Sequence, residues 1–83
     1  MYLRQCLVVE DSEVFRLLLQ SYLARIPLVD TPKVCGSYFE AIEILSTSQI
    51  DLLILDIQLP DFTGIDLLRT FPRLPPTILI SAH

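Results

Sequence analysis

Glu10 and Asp11 directly follow the apolar run CLVV at 6–9, and Asp56 directly follows LLIL at 52–55. Ser81 ends a third apolar run, TILIS at 77–81. A carboxylate at the end of a buried strand loses hydration unless a cation, hydrogen-bond donors or water compensate it. Three such groups brought together would repel, raising at least one pKa unless a cation sits among them. Ligands that are all oxygen select a hard ion, and a site with few protein ligands and several waters suits Mg2+ better than calcium. A phosphoryl group could fill another position of that ion.

Whether these acids meet depends on the elements that carry them. Four short apolar runs, CLVV (6–9), KVCGS (33–37), LLIL (52–55) and TILIS (77–81), are separated by helical patterns. Strands alternating with helices predict an α/β fold with a parallel sheet. In the first gap Phe15, Leu18, Leu19, Tyr22, Leu23 and Ile26 recur at steps of three and four, giving one apolar helix face. Asp11 or Ser12 is available as its N-cap, and Pro27 ends it. In the second gap Ser37 and Glu40 have the capping-box spacing ahead of Ala41, Ile42 and Leu45, predicting a helix of about three turns that stops near STSQ at 46–49. The third gap opens with the turn-forming LPDFTG at 59–64 and predicts a short helix from Thr63 or Gly64 to Pro72.

Right-handed crossovers place the carboxyl ends of all these strands along one edge of the sheet. The flavodoxin-like order 2-1-3-4 would set the first and third strands side by side at the point where ligands bind. Glu10, Asp11 and Asp56 then converge. Taken singly, Asp11 reads as a helix cap and Asp56 as a turn residue; their joint placement with Glu10 reverses that weighting.

The composition narrows the classes of function. At 83 residues, 52% of them hydrophobic, the chain is one small domain and not a disordered segment. A formal net charge of -4, with Lys and Arg scattered, argues against direct nucleic-acid contact. No apolar run approaches a membrane span and the start MYLRQCLVVEDSE does not read as a signal peptide, so a cytoplasmic location is expected. Cys6 and Cys35 lack the spacing of a redox or zinc motif and read as reduced core thiols on neighbouring strands. His83, the only histidine and the last residue, is given no role.

LVVEDSEVFRLLLQSYL, DLLILDIQLPDFTGIDLL and PPTILISAH, in that order, resemble the receiver domain of two-component response regulators. The resemblance implies a three-layer, receiver-type parallel sheet of order 2-1-3-4. It also implies that 1–83 is the N-terminal part of that domain, lacking the usual fifth strand and last two helices. By the same resemblance Asp56 accepts a phosphoryl group from a histidine kinase or phosphotransfer protein. Asp11 and Asp56 bind Mg2+ directly, Glu10 acts mostly through water, and the backbone carbonyl of Gln58 completes the protein ligands. Ser81 bonds a phosphoryl oxygen and links phosphorylation to a conformational switch.

One departure from the family's pattern is informative. The family's lysine on the fifth strand has no counterpart, because the only lysine, Lys33, starts the second strand at the opposite sheet edge. That supports an alternative, a truncated or degenerate receiver used as a non-phosphorylated interaction module, while retention of Glu10, Asp11, Asp56 and Ser81 opposes it. A fourth strand left as a bare apolar edge could pair two copies into a homodimer. A third class, a magnesium-dependent phosphatase, ordinarily needs a second acid two residues after the nucleophile, and Gln58 stands there.

Overall fold

A computed structural model describes residues 4–57, 69 and 73–80 of the chain. Its elements run β1 (Cys6–Val9), α1 (Glu13–Leu23), β2 (Lys33–Cys35), α2 (Tyr38–Thr47), β3 (Leu52–Asp56) and β4 (Thr77–Ile80). All strand pairs are parallel, as the alternation of elements predicts, and the sheet order is β2-β1-β3-β4, as the resemblance to receiver domains implies. The turn at 59–64, Gln58, Ser81 and His83 lie outside the described residues, as does all of the expected third helix except Arg69.

The unbroken apolar runs are explained by two-sided burial. Leu7 and Val9 of β1 join Leu53 and Leu55 of β3 in one cluster with Tyr38 and Ala41 of α2. The intervening Cys6 and Val8 join Ile54 and Leu23 of α1 in a second cluster. Side chains alternate across a strand, so a central strand covered on both faces must be apolar at every position. All four residues of β1 are fully buried for this reason. Neither Cys6 on β1 nor Cys35 on β2 is in a disulfide; both are buried, and burial pushes the Cys6 thiol up to about 11.

Both described helices start at serine caps. Ser12 accepts from the Phe15 amide at 3.3 Å, so Ser12, and not Asp11, caps α1. Ser37 accepts from the Glu40 amide at 3.3 Å, while its hydroxyl donates to Glu40 Oε1 at 3.4 Å.

The apolar face expected of the first helix is corrected in two respects. Helix α1 ends at Leu23, where the Ala24 amide bonds Gln20 O, so Ile26 belongs to the following turn and not to the helix. Only Leu19 and Leu23 reach the second cluster, whereas Leu18 and Tyr22 are 45% and 56% exposed. The stripe of apolar residues is wider than the strip of sheet it covers.

Replacing Ser37 by alanine removes a cap worth about 1 kcal/mol, and Ser37→Asp restores it. Thermal melting should show a drop of roughly 4–8 °C for the alanine variant and little change for the aspartate.

Candidate functional site

Parallel register brings the acids together. Val9 pairs with Leu55, so Glu10 and Asp56 stand one step further along adjacent strands, at the same level. The Glu10 amide bonds Cys35 O at 3.0 Å, which carries the ladder one residue past the end of β1. By alternation Glu10 and Asp56 share the face of Cys6, Val8 and Ile54, the face that α1 covers. Asp11 lies one residue on, exposed at the rim. Oxygens of Glu10, Asp11 and Asp56 lie within 4.8 Å of one another, so these three sequence-predicted residues do meet.

The environment is costly for negative charge. Glu10 and Asp56 are both 0% exposed. Burial pushes the Glu10 carboxyl up to about 7, helped by the neighbouring Asp56 carboxyl, which bonds its protonated form and repels its charged one. The Ser12 amide opposes this by donating to Glu10 Oε1 at 3.1 Å. Glu10 Oε2 has no hydrogen-bond partner among the described residues. Two carboxylates cannot donate to each other, and a proton or a cation between them would relieve their repulsion.

The residues fit a small hard cation. Every donor is an oxygen, two of the acids are out of water, and one buried oxygen of Glu10 is left open. Asp11 is exposed at the rim, so the group of acids meets solvent on that side. Gln58 and Ser81, expected to join this site, lie outside the described residues. Lys33 starts β2 at the far edge of the sheet and donates to Ser48 Oγ at 2.9 Å.

Sequence reading missed Arg16. Its Nη1 donates to the carbonyls of Glu10 at 2.7 Å and Asp11 at 3.1 Å, clasping the turn that carries both acids. The available signal was a cation one turn into α1, on the helix that starts from the acidic pair; its backbone partners left no trace in residue type.

Residues 6–83 match the family model of the response regulator receiver domain. Protein-glutamate methylesterase/protein-glutamine glutaminase 1 of Caulobacter vibrioides is 37% identical over 70 residues, which are 84% of this chain and 20% of the relative. The chain thus spans about a fifth of that relative's length. Among solved structures, the MaeR response regulator bound to beryllium trifluoride superposes with a TM-score of 0.87 at 32% identity, covering 96% of this chain and 68% of the other. A chain of the complex between the histidine kinase ThkA and the response regulator protein TrrA gives a structural match with a TM-score of 0.82 at 27% identity, covering 95% of this chain and 69% of the matched chain. With the 2-1-3-4 parallel sheet and the acids gathered at its carboxyl edge, these matches establish that the chain belongs to the response regulator receiver domain family.

Proposed function

We propose that this chain is a phosphoacceptor, in which Asp56 takes a phosphoryl group from the phosphohistidine of a histidine kinase or phosphotransfer protein and the domain changes conformation in response. The observation that carries the reading is the convergence of buried Asp56 with Glu10 and Asp11 at the strand ends. A carboxylate oxygen of Asp56 attacks phosphorus and forms an acyl phosphate. The bond from phosphorus to the donor's imidazole nitrogen breaks, and that nitrogen keeps the electron pair. Glu10, Asp11, Asp56 and the Gln58 carbonyl would hold Mg2+, which offsets charge on the phosphoryl oxygens during transfer. Asp11, at the exposed rim, faces the side from which a donor can approach. Ser81 is proposed to bond a phosphoryl oxygen and couple the event to the switch.

The family membership and the ThkA–TrrA complex support a kinase as partner. MaeR's binding of beryllium trifluoride supports a site for a compact phosphoryl-sized group. The chemistry consumes one phosphoryl per domain and serves a conformational output, so the chain is not proposed as a conventional enzyme. The methylesterase relative matches over only 20% of its length, which gives no ground for assigning its activity here.

A second reading, pairing of two copies through β4, has its own observation. Among the described residues β4 pairs only with β3, and its Ile78 and Leu79 are 51% and 45% exposed. Light scattering tests the pairing. A monomer at micromolar concentration removes the pairing.

Incubation with magnesium and a small-molecule phosphodonor should add one phosphoryl group to the intact mass, and Asp56→Asn should abolish the gain. A gain that persists in Asp56→Asn would place the acceptor elsewhere.

The raised Glu10 carboxyl also fixes the sign of a pH effect. It titrates at about 7 when folded, against an ordinary value of 4.5, so between these values the folded state binds more protons than the unfolded chain. Unfolding free energy therefore falls as pH rises through this window. Without metal, the wild type should lose melting temperature relative to Glu10→Gln between pH 4.5 and about 7. Millimolar magnesium should recover the loss, because the ion binds only the assembled pocket. A difference between the two proteins that does not vary with pH would contradict the raised carboxyl.

A further inference from the structure

Arg16, on α1, follows the acidic pair closely in sequence, yet among the described residues its guanidinium bonds go to backbone. Nη1 donates to Glu10 O at 2.7 Å and Asp11 O at 3.1 Å. An arginine bonded to the carboxylates would compete with a metal for the same oxygens. Bonded to the carbonyls, it fixes both peptide units of the turn and leaves the carboxylate oxygens free to converge. These bonds have a charged donor and are stronger than neutral ones.

The guanidinium reaches this position over Gly36, the residue that follows β2. A Cβ at residue 36 would stand 2.6 Å from Arg16 Nη1, 3.6 Å from Arg16 Cζ and 3.7 Å from Glu10 O. The 2.6 Å approach is too close to keep, whereas the distance to the Glu10 carbonyl is ordinary contact. The backbone would therefore accept alanine, and the guanidinium of Arg16 would have to shift from its place against the two carbonyls. Gly36 has no positive φ, so conformational freedom is not what glycine supplies here. It supplies the slot. The ends of three elements then interlock: the Glu10 amide bonds Cys35 O at 3.0 Å on one side, Arg16 bonds the Glu10 carbonyl on the other, and the Ser12 cap starts the helix that carries Arg16.

We propose that Arg16 is a positioning residue for the acidic site, orienting Glu10 and Asp11 through their carbonyls, and that Gly36 serves it by leaving space for the guanidinium. The proposal rests on the reading of Glu10, Asp11 and Asp56 as the magnesium site. It assigns to Arg16 no contact with metal or phosphoryl group. Removing a group that orients metal ligands weakens affinity by about 10- to 100-fold in other sites, and the lower end is expected here because the turn is also held by the ladder and the cap.

The test is calorimetric titration of magnesium into the intact protein, comparing wild type, Arg16→Ala, Gly36→Ala, the double variant and Leu23→Val. The last trims a buried residue of α1 away from the turn and reports the effect of lowered stability alone. Arg16→Ala is expected to weaken magnesium binding about tenfold, with Gly36→Ala shifted in the same direction. The double variant should bind no more weakly than Arg16→Ala, since the added Cβ then meets no guanidinium. Leu23→Val should lower the melting temperature with unchanged magnesium affinity. Equal affinity in wild type and Arg16→Ala, a Gly36→Ala effect that adds in full to that of Arg16→Ala, or an equal loss in Leu23→Val would each overturn the proposal. A wild type that binds no magnesium would overturn the metal-site reading and this inference together, whereas normal wild-type binding with unaffected variants would overturn this inference alone.

Discussion

Placing two carboxyl groups at 0% exposure on adjacent strand ends works against the hydrophobic burial that forms the sheet. Each would be solvated in the unfolded chain, and on folding each gives up that solvation beside a group of the same charge. The remedy is a proton or a cation between them. The raised Glu10 carboxyl is the proton-bearing form of that remedy, and a bound divalent ion is the other. The same cost therefore makes the pocket responsive. What is unfavourable for two neighbouring anions is what a cation between them would relieve.

The remainder of the structure holds this arrangement in place. Pairing of β1 with β3, in register from Cys6–Leu52 to Val9–Leu55, sets Glu10 and Asp56 level. Burial of Leu7, Val9, Leu53 and Leu55 against α2, and of Cys6, Val8 and Ile54 against α1, fixes that register from both faces. A slip of either strand by one residue would turn its side chains to the opposite face and part Glu10 from Asp56. The turn after β1 is held separately, by the Ser12 cap and by Arg16 on the carbonyls. At the opposite end of the sheet Asp51 Oδ2 accepts from the Gln5 amide at 3.0 Å, so β1 is secured at both ends.

Much of this was legible in the sequence because it depends on residue type at strand spacing. CLVV and LLIL fit strands covered on both sides, and in a parallel sheet an acid immediately after each falls at the carboxyl edge. The resemblance to receiver domains rested on those same positions. The order of strands and the meeting of Glu10, Asp11 and Asp56 were expected from them, and the structure has both. Arg16 and Gly36 escaped because their contribution passes through backbone carbonyls and through an absent Cβ, neither of which the sequence displays. The width of the buried strip on α1 escaped too. Periodicity identifies an apolar face, but how much of it is covered depends on the area the sheet presents, which left Leu18 and Tyr22 exposed.

The most direct test is to follow the Glu10 side-chain carboxyl by NMR through a pH titration, with and without magnesium. Titration at about 7 in the metal-free protein, moving down toward the ordinary carboxylate range when magnesium is added, is the result expected if a proton and the ion compete for one pocket between Glu10 and Asp56. An ordinary carboxylate titration without metal, or a raised one that magnesium leaves unmoved, would contradict it.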